Sequence, residues 1–260
     1  MKVDTQVSGW ESFVADRTER RDAAVDDATR QHFEAELEQA RITMQAMGMD
    51  ASQGASSSEA APPSGTGEAR NPVPKANEIS YIDYDVSSPQ PTHASGPLSD
   101  NLGALEPYRE DILAASDATG VPANLLAAVI WDESKGIASA GTVNGENGLT
   151  DTGLMQINPQ TYADLQNRHP ERLSGNASEP RNNIMGGALY LQEQFEQFGN
   201  WDLALRAYNS GPLSVDPTDH TRSTTGFGTM NYVEKVNFYV DRLDQGQALP
   251  DGYPGGNQYY

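Results

Sequence analysis

A single glutamate, Glu133, interrupts an apolar helical pattern. Val129 precedes it by four residues and Ile130 by three, so the three side chains share one face of a helix. Burying a polar group there without a partner costs on the order of 2–7 kcal/mol. The same burial raises the pKa of a carboxyl group, as a proton donor near neutral pH requires. The pattern predicts acid chemistry at Glu133; the alternative is a glutamate at a frayed helix end that reaches water.

Composition argues against several other kinds of chemistry. The chain of 260 residues has no cysteine, which excludes thiolate metal sites, and its four histidines lack the spacing of metal ligands. No metal and no cofactor are therefore expected. The net charge is −20, and acidic residues exceed basic ones on both sides of residue 98. This acidity argues against a nucleic-acid partner.

The sequence also lacks signals for membranes and general secretion. No apolar run approaches the roughly 18 residues that cross a bilayer. The first ten residues lack the apolar core of a secretory signal peptide. We therefore expect no membrane span and no classical export route.

Residues 1–97 are predicted to form a largely disordered N-terminal arm. One amphipathic helix is expected at about 19–47, where Leu37, Ala40 and Met44 recur at helical spacing. A linker rich in Ser, Pro and Gly follows at 50–78. A narrow apolar stripe on a lone helix has no core to enter, which favours docking onto a partner.

Residues 98–249 have the pattern of one mostly helical domain, and the helix that carries Glu133 is predicted to begin at Pro122. The other expected helix boundaries are Gly120, Asn158-Pro159, Gly199 and Asn200. A loop or short hairpin is predicted at 135–152 and a polar loop at 210–229. Residues 250–260 are predicted to be a disordered tail.

Four short motifs in this domain resemble one family when they are taken together. They are Glu133-Ser134, Gly153-Leu154-Met155-Gln156, Ala207-Tyr208-Asn209 and Tyr232. Their order and approximate spacing resemble the soluble lytic transglycosylase (SLT) domain over roughly residues 100–245. Each motif alone is weak, but four in order form a specific signal. Residues 144–153 are also similar to the subgroup encoded with type III secretion systems of plant-associated bacteria.

The resemblance implies an α+β, mostly α, lysozyme-like fold of the goose-type lysozyme and SLT kind. It also implies cleavage of the β-1,4 bond between N-acetylmuramic acid and N-acetylglucosamine in peptidoglycan. Glu133 would first protonate the glycosidic oxygen and then deprotonate the sugar's own 6-hydroxyl. The product would be a 1,6-anhydro sugar, and no second carboxylate would be needed because the attacking group belongs to the substrate.

The resemblance further implies residues that bind substrate or orient the acid: Ser134, Met155, Gln156, Tyr208, Asn209 and Tyr232. The Tyr208 hydroxyl is expected to bond to Glu133, with an ordinary core tyrosine as the alternative. Gln156 would bond a sugar hydroxyl or acetamido group, and Met155 would supply an apolar wall. Ser134 and Asn209 have an alternative role at helix ends, and Tyr232 has one in packing.

The sequence is also compatible with other functions. If Asp151 acts as a second carboxylate that activates water, the protein is a hydrolytic muramidase. A domain that grips glycan or secretion components without turnover is a further alternative. The leading expectation is an enzyme that opens the wall locally for a secretion system, with type III components as further partners. It would be cytoplasmic before export and then periplasmic or secreted, by the type III route.

Overall fold

The structure, a computed structural model, describes residues 96–143 and 149–260, together with scattered positions between 10 and 45. In the two continuous ranges the helices are α1 (Arg109–Thr119), α2 (Ala123–Ser134), α3 (Pro159–Arg168), α4 (Pro180–Phe198), α5 (Trp201–Ser210) and α6 (Tyr232–Asp244). The strands are β1 (Gly141–Val143), β2 (Thr150–Thr152), β3 (Val215–Asp216) and β4 (Asp219–Ser223). Short 3-10 turns cover Gly103–Tyr108 and Pro212–Ser214. The predicted α+β, mostly α, fold is confirmed.

Helix α2 is the central helix of the domain. Every residue from Ala123 to Trp131 is buried, because apolar side chains or Ala occupy nearly all of its faces. It packs against α1 and α6, while α4 packs against α1 and α5. The predicted start at Pro122 is confirmed, and Lys135 ends the helix in the left-handed conformation. This packing fixes the last turn of α2, where Glu133 lies.

The other predicted helix boundaries also hold. Gly120 and Gly199 adopt the left-handed conformation that ends α1 and α4. The Asn158 side chain caps α3 and is followed by proline, and the Asn200 side chain caps α5 through the amides of its first turn.

Two antiparallel hairpins join the helices. Strand β1 pairs with β2, with Thr142 opposite Asp151, as the predicted hairpin required. The second hairpin, β3 with β4, lies in a segment predicted to be a polar loop. That prediction was wrong because two short strands of mostly polar residues do not show a pattern of alternating apolar side chains.

Every described residue between 10 and 45 is helical. Trp10 and Phe13 are buried together with Ala40 and Met44, in a second apolar cluster shared with the domain. The domain residues of this cluster are Phe198, Leu203, Ala207 and Val215. The apolar stripe predicted to dock onto a partner thus packs, at Ala40 and Met44, onto the chain's own domain. The linker and much of the predicted arm lie outside the described residues.

The C-terminal residues 250–260 lie against the domain, although their composition predicted disorder. The Trp131 indole donates to the Pro250 carbonyl at 2.7 Å, and the Met230 amide donates to the Gln258 carbonyl at 2.7 Å. The prediction was wrong because these contacts satisfy a side-chain donor and a backbone donor of the domain, and composition carries no record of such pairing. Of the helices that the structure describes, none is long and apolar enough to cross a membrane.

Candidate active site

Glu133 lies in the last turn of α2 and faces the start of α6. The Tyr232 hydroxyl donates a hydrogen bond of 2.7 Å to Glu133 Oε1. Tyr232 is buried, whereas Glu133 keeps a small exposed surface. The carboxyl group is therefore held in one orientation by protein while part of the residue remains accessible.

Burial raises the pKa of Glu133 to about 8, and the hydrogen bond from Tyr232 opposes this rise. Asp132 and Asp151 raise the pKa further by charge repulsion, and Lys235 lowers it by attraction. A carboxyl group with this pKa is mostly protonated at neutral pH, which is the state that a proton donor needs. The chemistry predicted for Glu133 from its place in an apolar stripe agrees with this environment.

Tyr208 does not make the hydrogen bond predicted from the sequence. Its hydroxyl donates instead to the Met155 carbonyl at 2.7 Å, and its ring packs on Tyr190 with centroids 5.4 Å apart. The tyrosine that orients Glu133 is Tyr232. Both tyrosines lie on inner helix faces, so the sequence did not distinguish which hydroxyl reaches the carboxyl group.

We expect Tyr232→Phe and Tyr208→Phe to have different consequences. Loss of the Tyr232 hydroxyl raises the pKa of Glu133 further and frees its orientation, so kcat falls about tenfold to a hundredfold. Tyr208→Phe leaves a buried carbonyl without its donor, which lowers the free energy of unfolding by about 1–3 kcal/mol. The pH profile of glycan cleavage and urea unfolding measure the two effects. A shifted pH profile in Tyr208→Phe alone would contradict this assignment.

The residues Gly153 to Gln156 form a tight turn beside the acid. Gln156 has a positive φ of 45°, and its side-chain amide donates to the Gly153 carbonyl at 2.8 Å. Its Oε1 atom is buried and has no hydrogen-bond partner among the described residues. Met155 is fully buried, so it belongs to the core beneath the turn. Gln156 therefore holds the turn through its side-chain amide, and its Oε1 faces the protein interior and not the solvent.

Asn183, which the sequence analysis missed, holds this turn in place. It is fully buried on α4, and its Oδ1 accepts the Met155 amide at 2.7 Å. Its amide donates to the carbonyls of Thr152 at 2.9 Å and Ala177 at 2.8 Å. A Cβ on Gly153 would lie 2.5 Å from the Asn183 amide, so glycine is required by space as well as by its φ of 80°. The sequence feature that could have identified Asn183 is its position as a polar residue on the inner, apolar face of its helix.

The remaining predicted residues occupy supporting positions. Ser134 Oγ bonds to the Ile130 carbonyl at 3.1 Å and accepts the Gly136 amide at 3.3 Å, as its helix-ending alternative required. Asn209 Oδ1 accepts the Thr229 amide at 2.8 Å, so this side chain secures a loop. Asp151 lies on β2, and its Oδ1 accepts a hydrogen bond of 2.8 Å from Asn158.

Arg206 is a second buried residue that the sequence analysis missed. It is fully buried on α5, and its guanidinium donates to three backbone carbonyls. These are His220 at 2.8 Å, Thr229 at 2.9 Å and Met230 at 2.6 Å. The guanidinium thereby fixes the segment that leads into α6 and Tyr232. Within the part of the chain that the structure describes, no group of three or more acidic or His side chains could hold a metal ion.

The domain is similar to known proteins. The family described as Transglycosylase SLT domain matches residues 110–230. A protein named Transglycosylase from Enterobacteria phage PRD1 is 34% identical over 124 residues, which are 48% of this chain and 42% of the phage protein. The match thus spans less than half of that relative. Residues 110–230 thus match the transglycosylase SLT domain family, in agreement with the resemblance found in the sequence motifs.

Two solved structures are also similar to this chain. One is the X-ray structure of an inactive mutant of the lytic transglycosylase Slt from Pseudomonas aeruginosa. It is 24% identical in sequence, with a TM-score of 0.43, and the match covers 59% of this chain and 26% of the Slt chain. The other is the 70-kDa soluble lytic transglycosylase in complex with bulgecin A. It is 20% identical, with a TM-score of 0.41, and the match covers 60% of this chain and 27% of that protein's chain.

Proposed function

We propose that the protein is a peptidoglycan lytic transglycosylase. It cleaves the β-1,4 bond between N-acetylmuramic acid and N-acetylglucosamine and forms 1,6-anhydro-N-acetylmuramic acid. The observation that carries the proposal is Glu133, a carboxyl group with a pKa of about 8 that is oriented by Tyr232 within a family-matched domain.

One carboxyl group serves both steps of this reaction. Protonated Glu133 donates its proton to the glycosidic oxygen as the bond to C1 of the muramyl ring breaks. The carboxylate that remains is buried and therefore strongly basic, so it removes the proton of the 6-hydroxyl. That oxygen closes onto C1, and Glu133 regains its proton. The Tyr232 hydroxyl stabilises the carboxylate between the two steps.

A hydrolytic reaction would instead need a group that activates water. Asp151 is the candidate, and its Oδ1 is engaged by the Asn158 amide. This contact supports a role for Asp151 in the hairpin and the cap of α3. Under the proposed mechanism Asp151→Asn leaves the chemical nature of the product unchanged.

The product distinguishes the two reactions. Purified peptidoglycan is digested with the full chain, and the released fragments are treated with borohydride before mass spectrometry. Anhydro ends resist reduction, whereas hydrolysis gives reducing ends that take up hydrogen. We expect anhydro ends from the wild-type protein and from Asp151→Asn. Reducing ends from the wild type would replace the proposal with a muramidase, and no release would replace it with a glycan-binding role.

We also propose, on the sequence resemblance of residues 144–153, that the enzyme opens the wall locally for a type III secretion system. It would reach the periplasm or the exterior by that route. Export of the full chain from cells with and without a working type III apparatus tests this. Equal export from both strains would refute the type III route.

A further inference from the structure

A buried ion pair lies next to the acid. Lys235 Nζ and Asp132 Oδ2 are 2.9 Å apart, and the two side chains are only 6% and 8% exposed. The pairing of these two residues was not predicted from the sequence. Burying two charges is costly unless their geometry and remaining hydrogen bonds are satisfied. Stability alone therefore does not explain why this pair is buried at this position.

The C-terminal segment supplies the third member of this cluster. Lys235 Nζ donates to Asn257 Oδ1 at 2.8 Å. Asn231, directly before α6, binds the same segment through the Gly256 carbonyl at 2.8 Å and the Gln258 amide at 3.0 Å. The first turn of α6 is thus held on one side by α2 and on the other by residues 256–258.

The ion pair runs parallel to the hydrogen bond that orients the acid. Asp132 and Glu133 are neighbours in the last turn of α2, and Tyr232 and Lys235 are one turn apart at the start of α6. Two cross-links therefore join the same two helix ends: Lys235 to Asp132, and Tyr232 to Glu133. A shift of α6 that breaks the first bond also moves the Tyr232 hydroxyl away from the carboxyl group.

We propose that Lys235, clamped between Asp132 and Asn257, is a positioning residue that holds Tyr232 on Glu133. This inference rests on the proposed role of Glu133 as the acid. Lys235 acts through α6 and through its charge. The other ionisable groups that influence the acid or border it are Lys135 on the same helix end, Asp151 on β2, Tyr208 on α5 and Tyr232 on α6.

The two charges act on Glu133 in opposite directions. Lys235 lowers the pKa of Glu133 by attraction, and Asp132 raises it by repulsion. By charge alone, removing one of the two shifts the titration of Glu133 in one direction, and removing both largely cancels the two shifts. The bond between positions 235 and 132 is lost in Lys235→Met and in the double variant, whereas the amide oxygen of Asp132→Asn still accepts it. Release of Tyr232 from Glu133 in those two variants adds an upward shift, because the hydrogen bond from Tyr232 lowers the pKa of Glu133. This difference separates the electrostatic effect from the positional one.

The test compares Lys235→Met, Asp132→Asn and the double variant in the full chain. The pKa of Glu133 is measured by carbon-13 NMR on glutamate-labelled protein without substrate, and its signal is assigned by its loss in Glu133→Gln. We expect an upward shift in Lys235→Met, a downward shift in Asp132→Asn and, because Tyr232 is released, an upward shift in the double variant as well. Gln258→Ala controls for a general effect of changing the C-terminal segment, because the exposed Gln258 side chain makes none of these bonds.

The rates supply the positional readout. We expect kcat to fall about tenfold to a hundredfold in Lys235→Met and to remain low in the double variant, with KM within about twofold. If Lys235→Met fails to fold because Asp132 is left unpaired, the double variant still carries the test. Full kcat in the double variant, or a pKa of Glu133 in that variant near the wild-type value, would overturn the inference. Because the titration needs no substrate, it stands apart from product analysis of the wild type, which tests the proposed function.

Discussion

Glu133→Gln is expected to reduce glycan cleavage by about a thousandfold or more. A general acid or base typically contributes about 10²–10⁴ in rate, and here one group performs both steps. Glutamine keeps the shape of glutamate and still accepts the hydrogen bond from Tyr232, so the loss reports proton transfer and not misfolding. Initial rates of solubilisation of labelled peptidoglycan measure the effect. A variant that retains a tenth of the activity would show that Glu133 is not the acid.

The same substitution should stabilise the fold in a way that depends on pH. Glu133 has a pKa of about 8 in the folded protein and an ordinary value of 4.5 in the unfolded chain. The folded state therefore retains a proton that the unfolded state loses, so wild-type stability falls as the pH rises from 4.5 to 8. Glutamine cannot ionise. Its advantage is absent below pH 4.5, grows across this window and reaches up to about 5 kcal/mol above pH 8.

Urea unfolding of both proteins at pH 5, 6.5 and 8 measures this linkage. The difference in the free energy of unfolding should increase at each step. A constant difference would mean that the carboxyl group titrates alike in the folded and unfolded states, and the proton-donor role would lose its physical basis.

Arg206→Met is expected to lower the free energy of unfolding by about 3–5 kcal/mol. Methionine fills much of the volume but donates no hydrogen bonds, so the buried carbonyls of His220, Thr229 and Met230 lose their donor. The effect should reach the acid site as well, because the Thr229 and Met230 carbonyls lie in the segment that leads into Tyr232.

Arg222→Met is the matched control for this prediction. Arg222 lies on β4 with a side chain that is 66% exposed, and its nearest acidic oxygen, on Asp216, is 3.6 Å away. An exposed pair of this kind contributes about 0–1 kcal/mol. Equal losses in the two arginine variants would show that burial and the carbonyl network do not govern the contribution of Arg206.

The sequence was informative wherever the signal is local. Helix caps such as Asn158 and Asn200 depend on a side chain and the amides that follow it within one turn, so their positions could be predicted. Glu133 could be identified for the same reason, because its apolar neighbours lie three and four residues away. The predicted mostly helical fold follows from these repeated local patterns.

The features of the site and fold that could not be predicted from the sequence depend on contacts between residues that are distant in the chain. Tyr208 and Tyr232 lie on inner faces of different helices, and only their three-dimensional placement decides which hydroxyl meets Glu133. Lys235 and Asn183 were visible as polar residues in apolar patterns, but their partners lie on other elements. The C-terminal segment has a composition typical of disorder and packs because domain amides and side chains meet it.

In the proposed reaction, the attacking oxygen comes from the 6-hydroxyl of the sugar and not from water. Digestion of peptidoglycan in water enriched in oxygen-18, followed by mass spectrometry of the released fragments, tests this directly. We predict that the new muramyl ends carry no label and that Glu133→Gln releases almost none of these fragments. One oxygen-18 atom in each new end would contradict this prediction and would make the enzyme a hydrolase.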